Sequence, residues 1–207
     1  THNSLISTRL ELSNIIILHS NDGNTPTMLN DLSAETSKYF MKAPPANILE
    51  FAISDRVILV EGPSEYMLFE KFYETVTNHK PETDGVNIID VRGLSFKRYL
   101  ELSKLIGEKT AVVTDNDHDY KRHCVDKYSD YAQTNNIKIF FSQDNKQNTF
   151  EVVLYNNNRN LCNELFGNAA LEYMLKNKTE SAYQLLLSEK EIIVPEYIRR
   201  AIEWIKE

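Results

Sequence analysis

Between residues 49 and 141 the chain alternates short, mostly apolar runs with longer stretches of helical spacing. The runs are Arg56-Val57-Ile58-Leu59-Val60, Val86-Asn87-Ile88-Ile89-Asp90-Val91, Thr110-Ala111-Val112-Val113-Thr114 and Ile137-Lys138-Ile139-Phe140-Phe141. Short, mostly apolar runs of this kind read as strands covered on both faces. After the first run, Pro63 suits a first helical turn, and Met67/Leu68, Phe72 and Val76 carry helical spacing to about Asn78. Phe96, Tyr99/Leu100 and Ser103 mark a second helix, and the polar stretch 119–135, with Tyr128 and Tyr131, reads as a third. This strand–helix repetition predicts an α/β fold, a parallel sheet of about four strands with helices on both faces.

The two flanks differ from this middle piece. Ahead of it lie a short apolar strand (14–18), a polar loop (19–26) and a helix (31–42) that Ala43-Pro44-Pro45-Ala46-Asn47 breaks. Behind it, past the polar stretch 143–148, helices are expected over about 160–176, 178–189 and 195–206. Ile198, Ala201/Ile202 and Ile205 form an apolar stripe on the last, which reads as packing. The expected division is 1–48, 49–155 and 156–207.

The chemistry sits at strand ends. Val60 runs into Glu61-Gly62-Pro63-Ser64-Glu65, and Thr114 runs into Asp115-Asn116-Asp117. Ligands of parallel sheets sit at the carboxyl ends of strands. If these two strands are neighbours, Glu61, Glu65, Asp115 and Asp117 crowd one edge, and crowded carboxylates repel unless a cation neutralises them. Hard, oxygen-seeking Mg²⁺ or Mn²⁺ fits such a set and points to phosphoryl chemistry. Glu65 also has a plain structural reading, as an acid in a first helical turn. A calcium loop on Asp115, Asp117 and Asp119 fails, because its sixth position is Tyr120 and its twelfth is Asp126. Asp119 stays a reserve ligand. His118 and His123 have the wrong spacing for a helical zinc pair, and His79 reads as exposed.

Composition narrows the classes. The 207 residues carry 23 basic and 30 acidic side chains, a net charge of -7, which argues against a protein that simply coats nucleic acid. Cys124 and Cys162 have no partner spacing for zinc or a disulfide framework and read as reduced thiols of a cytoplasmic protein. No run of about 18 apolar residues exists, so no membrane partner is expected. The chain opens on Thr1 with a motif under way and reads as a piece of a longer protein.

Val-Glu-Gly-x-x-Glu after one strand, a Gly after the next and Asp-x-Asp after the third is the Toprim pattern. The sequence resembles the Toprim part of the OLD (overcoming lysogenization defect) family, which joins an ABC-type ATPase to a C-terminal Toprim nuclease. The resemblance implies a Toprim-like, Rossmann-like sheet and a metal-dependent DNA endonuclease working through two ions, Mg²⁺ or Mn²⁺. Thr1-His2-Asn3-Ser4 resembles the end of the family's ATPase domain, so 1–48 would be its tail and linker and His2 its ATP γ-phosphate contact, with Asn3 a departure. ATP would then act only in the full-length parent. Thr149-Phe150-Glu151 resembles the element that adds a glutamate to the metal shell. Asn177-Lys178-Thr179 resembles the motif whose lysine stabilises the transition state. The implied metal set is Glu61, Glu65, Asp115, Asp117 and Glu151; the implied catalytic set is Glu61, Asp115 and Lys178. The nuclease of the Gabija anti-phage system belongs to this family, and a Gabija-like protein would have a helicase partner. DNA and a homo-oligomer of the full-length protein are the expected partners, with Lys97, Arg98, Lys121, Arg122 and Lys146 as phosphate contacts. The rival readings are a primase- or topoisomerase-type Toprim domain, a phosphatase or receiver-like α/β domain, and a degenerate Toprim module serving interaction or dimerisation.

Overall fold

The computed structural model describes residues 16–17, 27–28, 31–42, 45–92 and 96–207. Strands β1 (Ile16–Ile17) and β2 (Thr27–Met28) pair antiparallel as a small ladder of their own. Helices α1 (Ala34–Lys42) and α2 (Pro45–Ala52) follow. The break expected at 43–47 is also a start: a proline that disrupts a helix interior is well placed at its first position, and α2 begins at Pro45.

The main sheet is built from β3 (Arg56–Val60), β4 (Val86–Asp90), β5 (Lys109–Val113) and β6 (Ile137–Phe140), with α3 (Pro63–Thr77) and α4 (Phe96–Ile106) between the first three. Its order is β4-β3-β5-β6 and every pairing is parallel. The chain therefore steps outward from β3 to β4, then crosses back over β3 to reach β5. Connections on either side of that reversal diverge, the arrangement that in such sheets sets a crevice at the carboxyl ends of the flanking strands, here β3 and β5. The register pairs Leu59 with Val112, which carries Glu61 level with Thr114.

Strand alternation divides the core into two layers. Ile58, Val60, Ala111 and Val113 face one side, and Val57, Leu59 and Val112 the other. The first side is covered by α3 and by the C-terminal helices α5 (Phe150–Asn157), α6 (Arg159–Phe166), α7 (Ala170–Lys176), α8 (Lys178–Leu187) and α9 (Glu196–Lys206). The second is covered by α4 and by Leu32, Phe40, Ile48 and Phe51 from α1, α2 and the residues just ahead of them. The apolar stripe of α9 is buried throughout, as its spacing predicts.

Three local differences have physical causes. The helix expected over 160–176 is split into α6 and α7, because Gly167 takes φ 78 and ends α6. The stretch 119–135 holds a π-helical turn, Lys121–Asp126, and a short 3-10 turn, Ser129–Tyr131, rather than one long helix. This winding brings Cys124 and Tyr128 inward, both buried. The pattern left α5 unmarked; its capping Thr149 accepts a long 3.5 Å hydrogen bond from the Val152 amide.

Phe72 is fully buried and its ring meets those of Phe69 and Phe150, each at 6.3 Å. Phe72→Ala is expected to cost about 3–5 kcal/mol in urea unfolding. Tyr66→Ala, on the exposed side of the same helix, is expected to stay within about 0.5 kcal/mol.

Candidate functional site

Each strand exit presents an acid into the crevice. Glu61, directly after β3, accepts hydrogen bonds on Oε2 from the Asp115 amide at 3.2 Å and from the Thr114 hydroxyl at 3.3 Å. The end of β5 thus holds the carboxylate that ends β3. Glu65 lies in the first turn of α3 and is buried. Gly62 lies against it: a Cβ at that position would stand 3.4 Å from Glu65 Oε2, at ordinary contact distance. Glu151, in the first turn of α5, is buried. Lys178 is the first residue of α8 and places Nζ 3.0 Å from Glu151 Oε2. A cation at a helix N-terminus opposes the helix dipole. The acids that Lys178 faces explain its place better than helix stability does.

That ion pair holds Glu151 by charge more than by an aligned hydrogen bond. The contact lacks the angle of a hydrogen bond, so Glu151 Oε2 is a buried acceptor without a hydrogen-bond donor. Burial pushes the Asp115 carboxyl up to about 9, with Glu61, Glu65 and Glu151 adding to the rise and Lys178 opposing it. Burial likewise pushes Glu65 up to about 8, its own backbone amide opposing and Glu151 and Glu61 reinforcing. On Lys178, burial works against the charged form, but Glu151, Asp115 and Glu65 outweigh it and raise its pKa. The phenol of Tyr197, buried in α9, feels the same acids and is raised well above its ordinary value, with burial the larger cause. Four carboxylates and one ammonium therefore form one electrostatic unit.

All-oxygen donors and their mutual repulsion fit a hard divalent cation. Among the described residues no three acidic, imidazole or thiol groups already form a closed cation cage. Ligation would need the carboxylates to swing inward, which unscreened like charge resists.

Other residues from the motifs have different surroundings. Asp117 is exposed at φ 46, with its amide donating to the Asn148 carbonyl at 3.2 Å. His118 has φ 69, and its Nε2 lies 3.1 Å from Asn148 Nδ2. Asp119, just ahead of the π-helical turn, accepts from the Arg122 amide at 3.2 Å. His79 pairs with Asp84 at 3.0 Å in a cluster with Tyr73 and Lys206, away from the acids. Lys97, Lys121, Arg122 and Lys146 are exposed. Arg98 is committed to α1, bonding Thr36 at 3.1 Å and Glu35 at 2.8 Å. Both cysteines are free and buried. His2 lies outside the described residues.

Two residues escaped the sequence reading. Asn116, between the two aspartates, is buried, and its Nδ2 contacts the carbonyls of Ser142 (2.8 Å), Asp144 (3.0 Å) and Gln147 (3.2 Å). Its Oδ1 accepts from the His118 amide at 3.0 Å. It staples the loop after β6 to the exit of β5. The available signal was an amide, able to donate and accept, between two acids at a strand end. Tyr128 is buried with its hydroxyl facing Glu61 and Thr114, short of a well-formed hydrogen bond. Nothing in the sequence marks it.

Residues 53–117 match the family model described as "Overcoming lysogenization defect protein-like, TOPRIM domain". That segment, about a third of the chain, is therefore similar to an OLD-like Toprim domain. Glu61, Glu65, Asp115 and Asp117 fall inside the matched segment, whereas Glu151 and Lys178 lie beyond it. The fold is similar to the C-terminal region of the Xanthomonas campestris pv. campestris OLD protein, with a TM-score of 0.55 at 20% identity, covering 76% of this chain and 94% of that one. It is also similar to the C-terminal region of the Burkholderia pseudomallei OLD protein, with a TM-score of 0.58 at 17% identity, covering 74% and 98%. At these identities the likeness establishes the architecture, a Toprim-type parallel sheet flanked by helices. No curated protein matches the sequence significantly. The OLD-like Toprim domain supports a nuclease-type module, and Toprim domains generally bind divalent metals. Among the described residues no helix is long and apolar enough to cross a membrane.

The raised carboxyls set the pH dependence of stability without metal. Between about pH 4, where unfolded carboxyls ionise, and the folded values of about 8 and about 9, the native state holds protons that the unfolded chain has lost. Stability must then fall as pH rises through that window. In EDTA the melting temperature is expected to drop from pH 5 to pH 9, and Asp115→Asn is expected to flatten the slope. A slope unchanged by Asp115→Asn would contradict the coupling. Asn116→Ala is expected to lower stability by about 1–3 kcal/mol, because loop carbonyls lose their donor.

Proposed function

We propose that the chain is the Toprim part of a metal-dependent DNA endonuclease that hydrolyses a phosphodiester. The observation that carries this reading is the convergence of Glu61, Glu65, Asp115 and Glu151, with Lys178, at the strand-order reversal between β3 and β5. In this reading Glu61, Glu65, Asp115 and Glu151 would hold Mg²⁺ or Mn²⁺, two ions as the OLD resemblance implies, with the exposed Asp117 as a further ligand. Such ions supply Lewis-acid stabilisation of phosphoryl charge and a deprotonated water. Glu61 is held by the Asp115 amide and the Thr114 hydroxyl, which fixes its orientation. Glu65 and Asp115 give up protons as ligands. Lys178 leaves Glu151 to neutralise charge developing on the phosphate, and buried carboxylates keep its ammonium charged.

The exposed Lys97, Lys121, Arg122 and Lys146 are proposed to hold the DNA backbone. Residues 1–48 are proposed to be the tail and linker of an ABC-type ATPase domain, with His2 reporting on bound ATP in the full-length protein. A role in anti-phage defence or DNA processing, and a homo-oligomeric parent, follow from the same resemblance.

Supercoiled plasmid is expected to be nicked or cut in Mg²⁺ or Mn²⁺ and left intact in EDTA. Asp115→Asn and Glu61→Gln are expected to fall to background, and Lys178→Ala to lose about 10²-fold. Saturating Mn²⁺ is expected to stabilise the wild type by about 2.7 kcal/mol at a hundredfold excess over Kd. An intact plasmid together with no Mn²⁺ stabilisation would contradict this function.

A further inference from the structure

A cavity of about 320 Å³ opens beside the acids, between the loop after β6, helix α5 and the first turns of α9. We propose that it receives an unpaired nucleobase of the DNA next to the scissile phosphate, so that the substrate is single-stranded or locally unpaired. This rests on the nuclease reading above and names the substrate class of that site.

The cavity and the acid cluster share their walls. Asn116, next to Asp115, holds the carbonyls of Ser142 and Gln147, and both residues line the cavity. Helix α5 contributes Glu151 to the acids and Asn157 to the cavity. Tyr197 lines the cavity while its phenol feels the charge of Asp115, Glu65, Glu151 and Glu61. None of the clustered acids lines the cavity itself, and the loop after β6 and helix α5 are what connect the two, so a nucleotide whose phosphate lies at the acids would reach the cavity along them.

The lining chemistry selects a base over a phosphate. Gln143 brings an exposed side-chain amide, whose donor and acceptor can read a base edge, while Gln147 and Asn157 already give one amide hydrogen to Asp144 and to the Val153 carbonyl and keep their amide oxygens. Phe141 adds an aromatic face, and its ring is stacked on Tyr120 with centroids 5.9 Å apart and planes at 19°. Arg200 and Glu196 both line the cavity and offset each other in charge, so it offers little to a dianion and suits a planar, neutral, polar guest. A base stacked and paired within a duplex cannot fill such a recess; it must leave the stack.

The test compares a short oligothymidylate with a backbone of the same length built from abasic tetrahydrofuran units, both fluorescently labelled. Anisotropy is read in Ca²⁺, with gels confirming that the strands stay whole. The wild type is expected to bind the oligothymidylate about tenfold more tightly, the scale of one stacked base. In Gln143→Ala/Arg200→Ala that gap is expected to shrink to about twofold or less, with Mn²⁺ stabilisation kept. Equal binding of the two strands, binding of neither, or a gap that persists in the double variant would overturn the proposal. Because the readout needs no cleavage, a nuclease that nicks plasmid but ignores the missing bases sinks only this inference. A chain that prefers bases but never cuts sinks the nuclease reading instead.

Discussion

Like charge confined at the exits of two adjacent parallel strands is the constraint on which this structure turns. Glu61, Glu65, Asp115 and Glu151 act on one another in a largely buried cluster, and among the described residues Lys178 is the cation that answers them. Burial and repulsion together hold Asp115 and Glu65 protonated near neutral pH, and Glu151 keeps one oxygen without a hydrogen bond. An arrangement this costly is not explained by stability, because burying unpaired carboxylates weakens a fold. A divalent cation would reverse the sign of the arrangement, turning repulsion into ligation.

The rest of the fold serves that placement. The strand order β4-β3-β5-β6 sets β3 and β5 side by side where the winding reverses. The sheet supplies only Glu61 and Asp115. Glu65 comes from the first turn of α3, and Glu151 and Lys178 come from α5 and α8, whose buried faces pack on α3 and on one side of the sheet. The C-terminal helices are thus part of the site as well as of the core. Asn116 adds the last link, tying the loop after β6 to the acidic exit of β5.

Much of this was legible in the chain because parallel strands buried on both faces announce themselves as apolar runs. The sheet strands fall within about one residue of the apolar segments that predict them, and the helices α3, α4 and α9 follow their periodicity. The pairing of the two strand exits was readable only as a condition, since strand order depends on which crossover the helices permit. The region 119–135 was misread as one helix: its winding follows the burial of Cys124 and Tyr128 beneath the acidic loop, a tertiary demand. Glu151 and Lys178 carried no signal in spacing and were reached through family resemblance. Asn116 was hidden for a different reason. Its role lies in carbonyls about thirty residues away, which no local pattern encodes.

The central claim is that carboxyls kept protonated by burial and by neighbouring negative charge await a cation. Calorimetric titration with Mn²⁺ at pH 7, repeated in buffers of different ionisation enthalpy, counts the protons released per ion bound. The account predicts measurable binding with net proton release at that pH, and a clear fall in both affinity and release in Asp115→Asn. Binding without proton release, or release unchanged by Asp115→Asn, would contradict it.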